Sequence, residues 1–146
     1  MNLDYRSLIS SNFTRHTQNV LANDNSEELT FYFENSQKQI SIDHYSYINN
    51  REIIDYSFMS IISISHSQDD QDKYRSILSE LDSLIDLDFK EMNHNNGSDI
   101  DIYSVSSSST FEENTVGQVI SQNSSSGSWW DILWKETDNK LISSGV

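Results

Sequence analysis

The chain has 146 residues and a formal net charge of −14, from 9 basic and 23 acidic side chains. That length suits one domain with a modest core, and the acidic excess argues against nucleic acid or an anionic membrane, whose phosphates it would repel. With no cysteine at all, disulfide scaffolds, thiol nucleophiles and cysteine zinc sites are excluded together. The charge is compatible with a soluble protein that avoids non-specific association, or one that meets calcium or basic partners. No apolar run approaches the ~20 residues that a bilayer span requires. The opening "MNLDYRSLISSNF" has an early acidic residue and no apolar h-region, so a Sec-type signal peptide is not expected.

Residues 1–28 are mixed and polar and read as an N-terminal lead-in. "LTFYF", Leu29 to Phe33, is rich in aromatic and β-branched types and predicts the first strand. From Glu34 to Arg51 the sequence is polar with scattered aromatics, as in an insertion or hairpin. "EIIDYSFMSIISIS", Glu52 to Ser65, fits a strand pair or a short buried helix, which periodicity alone does not separate.

"SQDDQDKYRSILSELDSLID" predicts a helix. Ser67 or Asp69 can cap it, and Asp69, Asp70 and Asp72 put negative charge at the positive end of its dipole. Tyr74, Ile77, Leu78, Leu81, Leu84 and Ile85 recur at helical spacing as one apolar stripe. Strands follow at Leu87 to Met92 and at Asp99 to Val105, around a turn in which Gly97 can take positive φ. "VGQVIS" is a short strand, "QNSSSGS" a loop and "WWDILWK" a last strand. Trp130, Ile132 and Trp134 share one of its faces, and Trp129, Asp131 and Leu133 share the other. A crossover through the helix would set residues 29–33 and 87–92 parallel in one sheet. The expected fold class is α/β: a mixed, twisted β-sheet backed by one long amphipathic helix.

Spacing by itself yields no catalytic site. His16, His44, His66 and His94 are never three or four residues apart, so no two share a helical face as metal ligands, and they read as surface or loop residues. "DDQD" lacks the glycine and terminal glutamate of an EF-hand loop, and "NDNSEE" is an equally weak calcium candidate. Asp99 and Asp101, alternating on a strand, read as solvent-exposed.

The order of these segments resembles the N-terminal half of a metzincin zinc metallopeptidase domain, of the matrixin or serralysin kind. "LTFYF" is similar to the family's opening strand, and the helix runs into an ending of the "xLxFxE" type at Leu87, Phe89 and Glu91. Asp99, Ile100 and Ile102 match the "aDIxI" third strand. "VGQVIS" stands where the edge strand does, with Gly117 matching its glycine, and "SWWDILWK" resembles the strand before the catalytic helix. The similarity spans about residues 29–136. Departures are the missing alanine and proline of the edge strand and a long polar insertion at about 34–65.

What the resemblance implies is a partial metallopeptidase-like domain over 29–146, like the upper subdomain of a zincin-like protease. In the family a helix bearing HExxHxxGxxH follows, whose histidines hold zinc and whose glutamate serves as general base. This sequence ends at Val146, where that helix would begin, so no catalytic or metal residue carries over. The expectation is a truncated or split peptidase domain, inactive alone, with no zinc held by these residues and calcium unsupported. The alternative is a non-catalytic binding or assembly module that keeps the sheet. The family's edge strand pairs with extended substrate. It carries over to Gly117, Gln118, Val119, Ile120 and Ser121 as the surface for a peptide or protein partner, with self-association through an uncovered sheet face as a second route. The family is typically exported.

Overall fold

The computed structural model describes residues 11–22, 27–47, 54–106, 111 and 114–136. They form helix α1 (Ser11–Leu21), strands β1 (Glu28–Glu34), β2 (Gln39–Tyr47) and β3 (Ile54–Ile64), helix α2 (Gln68–Asp82), and strands β4 (Asp88–Met92), β5 (Ile100–Val105), β6 (Gly117–Ser124) and β7 (Gly127–Lys135). The fold is α/β with a mixed sheet of seven strands and two helices among the described residues. The expectation of a sheet backed by one helix is corrected by α1.

β1 pairs in parallel with β4 on one side, Leu29 opposite Phe89, and with β5 on the other, Phe33 opposite Ile102. β5 pairs in parallel with β7 along its whole length, and β6 adds antiparallel to β7. The run across the sheet is therefore β4-β1-β5-β7-β6, with β6 at the edge. β3 joins β5 only at Ser63 and Ile64, opposite Val105 and Ser104, beyond the end of β1. β2 is its antiparallel partner from Gln39 opposite Ile62 to Tyr47 opposite Ile54. The stretch read as a strand pair or buried helix is one eleven-residue strand, and the polar stretch before it supplies the other arm of a hairpin.

The pleat sorts side chains onto two faces. Phe31, Phe33 and Ile102 point to the side where Tyr74 and Leu78 of α2 pack. Trp130 and Leu29, on the same side, receive Val20 and Leu21 of α1. On the opposite face Tyr103, Val105, Ile120 and Leu133 are covered by Ile42, Met59 and Ile61 of the β2–β3 hairpin. The molecule is thus layered as helices, sheet and hairpin. α1 presents a thin apolar signal, chiefly Val20 and Leu21 beside a buried His16, and so reads as polar lead-in from sequence.

Local chemistry fixes the element ends. The Ser67 side chain accepts a hydrogen bond from the Asp70 amide at 3.1 Å and caps α2, with Asp69 and Asp70 in its first turn. Gly97 takes φ 83° in the β4–β5 turn, where a side chain would be strained. β6 and β7 form a hairpin, with Ser124 opposite Gly127, where the sequence suggested a longer loop.

Candidate functional site: an open sheet edge and the acidic cluster behind it

Gly117, Gln118, Val119, Ile120 and Ser121 all lie in β6, which among the described strands pairs only with β7. Their register fixes which backbone groups face outward. The Val116 carbonyl accepts from the Lys135 amide at 2.9 Å, which makes that couple a hydrogen-bonded pair. Alternation along an antiparallel ladder then turns Gln118, Ile120 and Gln122 toward β7, and Gly117, Val119 and Ser121 away from it. Those three residues present amide donors and carbonyl acceptors along the edge. Gly117 sits tight against β7: an added Cβ would stand 3.1 Å from the Leu133 carbonyl oxygen and 3.4 Å from the Trp134 ring. Val119 is 56% exposed on the helix side, and Ile120 is buried beneath the hairpin. At the far end Gln122 is buried, and its Nε2 donates to the Asp43 carbonyl of β2 at 2.8 Å. The hairpin therefore holds one end of the edge strand, and among the described strands none pairs with the outward side of its Gly117 end.

Behind β6 lies an acidic cluster. Asp101 and Asp131 are opposite one another across β5 and β7 and are each 4% exposed. Ser98 Oγ makes a short hydrogen bond to Asp101, and the Tyr103 hydroxyl donates to its other oxygen at 3.3 Å. The Trp129 indole donates to Asp131 at 3.2 Å. Burial pushes the Asp101 carboxyl up to about 6 against these bonds. Burial, then the charge of Asp101, pushes Asp131 up to about 8. Nearby, Asp99 accepts from the Thr30 amide at 2.8 Å and the Thr30 hydroxyl at 2.7 Å, tying the start of β5 to β1. The expectation that Asp99 and Asp101 are exposed is overturned, because both carboxyls turn inward onto hydrogen-bond partners, Asp99 onto Thr30 and Asp101 onto Ser98 and Tyr103. A cleft of about 490 Å³ opens beside them, and its lining includes Thr30, Ser98, Asp99, Asp101, Ser126 and Trp129.

Two of the histidines read as surface residues are buried instead. His16 Nε2 donates to the Trp129 carbonyl at 2.8 Å and its ring meets Trp130 edge-on. His66 Nε2 donates to the Ile102 carbonyl at 3.1 Å between Phe33 and Tyr74. Burial lowers the pKa of both, so each ring serves as a neutral packing group with one donor. His94 is exposed in the β4–β5 loop, and the side chain of His44 lies outside the described residues. Asp69, Asp70 and Asp72 stand in the first turns of α2, where Asp72 binds Arg75 at 2.8 Å. The first four residues of the "NDNSEE" run lie outside the described residues, and Glu28 pairs with Lys90. Among the described residues no three His, Asp or Glu side chains converge as a metal site.

At the opposite ends of β1 and β4 a second cleft, about 550 Å³, is lined by Tyr32, Asn35, Gln71, Arg75, Glu91 and Asn93. Its guanidinium is taken up: Arg75 donates to both Glu91 oxygens, at 2.7 and 2.8 Å. No family model, curated protein or solved structure matches the chain. The sequence signal for the acidic cluster was available in "WWDILW", where Asp131 sits on the same strand face as Leu133 with bulky apolar residues all around.

Proposed function

We propose that the chain is the sheet subdomain of a matrixin- or serralysin-like zinc endopeptidase, which receives extended polypeptide along β6 and does not hydrolyse it alone. The observation that carries this reading is the strand order. The helix-linked strands β1 and β4 are parallel neighbours, β5 and β7 extend the parallel set, and β6 is an antiparallel strand at the edge. Within that order, the parallel pairing of residues 29–33 with 87–92 and the edge position of "VGQVIS" are what the sequence reading expects. The outward amides and carbonyls of Gly117, Val119 and Ser121 suit strand addition. The 146 residues contain no HExxH pattern, so the zinc-bound water and its general base would have to come from another segment. Incubation of the purified chain with zinc and an unfolded protein substrate tests this. The expected result is no cleavage. Zinc-dependent, chelator-sensitive cleavage that copurifies with the chain would sink it.

A second reading, a non-catalytic assembly module, is favoured by apolar side chains left exposed on the helix side. Trp134 is 39% exposed and Ile77 of α2 is 54% exposed, with Val119 on the same face as Trp134. A tight, stoichiometric complex formed through these side chains, in a chain that ignores extended peptides, would select that reading over the first.

A further inference from the structure

The hairpin β2–β3 rests on a part of the sheet that differs chemically from the rest of the core. Its Ile42, Met59 and Ile61 pack on Tyr103, Leu133 and Ile120. On that same face Asp101 and Asp131 stand side by side on β5 and β7. Neighbouring strands are ~4.8 Å apart, so two full negative charges there, each on a side chain only 4% exposed, would repel strongly. The surroundings do not neutralise the pair. Asp131 faces Asp101 and Tyr103 from β5, Asp43 from β2, the neutral Gln122 from β6 and the Trp129 indole of its own strand. Asp101 faces Ser98, Tyr103, and, from the end of β1 and the loop after it, Tyr32, Glu34 and Lys38. Lys38 is itself bound to Glu34.

We propose that the buried cross-strand pair Asp101 and Asp131 keeps one proton in the closed molecule, and that its loss releases the β2–β3 hairpin from β5, β6 and β7. The link between hairpin and edge strand is the bond from Gln122 to the Asp43 carbonyl, within reach of the Asp131 charge. Release uncovers the side chains of Ile120 and Gln122 and frees the end of β6 that the hairpin holds. The device depends only on β6 being an edge strand, and holds whether or not the zinc-peptidase reading does.

The sign follows from the direction of the shifts. Both carboxyls are raised by burial in the closed molecule, to about 6 and about 8, and return to the ordinary carboxylate range, ~4, once the hairpin lifts. The closed form therefore binds more protons between those limits, and its stability is lost as pH rises. Above pH 6 one proton remains, so the opening constant grows about tenfold per pH unit until about pH 8 and then levels.

Amide hydrogen exchange on the full chain, corrected for the intrinsic pH dependence of exchange, reads this directly. Protection of the β2 and β3 amides is expected to fall about tenfold per unit between pH 6 and 8 and to level above, and Asp131→Asn to keep it flat. Flat protection in the wild type, or an unchanged slope in Asp131→Asn, would overturn the proposal. Should that variant not fold, carboxyl-carbon NMR of the wild type decides: one aspartate titrating above pH 7 supports the retained proton, and no aspartate titrating above pH 7 refutes it.

Discussion

Asp99 joins two strands that are distant in sequence. Its carboxylate accepts from both the amide and the hydroxyl of Thr30, and its own amide donates back to the Thr30 carbonyl at 3.1 Å. Loss of a charged, part-buried acceptor leaves donors unsatisfied, so Asp99→Ala should lower stability by about 1–3 kcal/mol in urea unfolding. Thr30→Val should cost less than an additive amount in the Asp99→Ala background, because both changes remove the hydroxyl–carboxylate bond. Strict additivity would mean the pair is not coupled. His66 gives a pH signature of the opposite sign to the carboxyl pair. Its folded pKa is lowered below 6.5, so its contribution is present above that value and lost as pH falls. The wild type should therefore lose stability relative to His66→Phe between about pH 7 and pH 5, measured by thermal unfolding. At this scale the sequence was a poor guide: a lone aspartate or histidine carries no mark of which face its strand or loop will bury.

At the level of elements, legibility followed the strength of the periodic signal. α2, β4, β5 and β7 have clear spacing and formed close to where it put them. The stripe read on α2 was broader than the surface it buries, however. Tyr74 and Leu78 reach the sheet, and Ile77, Leu81, Leu84 and Ile85 are exposed, because a helix lying on a sheet buries one flank only. β3 was ambiguous, since Ile54 to Ile64 is apolar on both faces: Met59 and Ile61 go to the core while Phe58 and Ile62 face solvent. α1 escaped notice because a helix docked through so few apolar residues leaves no stripe. The Ser67 cap was legible and should be energetically visible. Ser67→Ala is expected to cost about 1 kcal/mol, seen as a lower urea midpoint with unchanged slope. An unaltered midpoint would mean that Asp69 or Asp70 takes over the cap.

Across the whole molecule, charge and apolar exposure act against each other. A net charge of −14 keeps copies apart, while Val119, Trp134, Ile77 and Leu81 leave apolar side chains exposed. Salt screens the first and leaves the second. Light scattering should accordingly find a monomer at low ionic strength and concentration-dependent association at high salt, reduced in Ile77→Asp. Association that weakens with salt would point to charge pairing instead. The central claim, that β6 is an open edge for extended polypeptide, is tested most directly by following backbone amides during titration with a six-residue peptide of alternating valine and lysine. Shifts and added exchange protection are expected at Gly117, Val119 and Ser121, whose amides face outward, with Gln118 and Ile120 little changed. Binding that leaves those three amides unperturbed, or no binding at millimolar peptide, would contradict it.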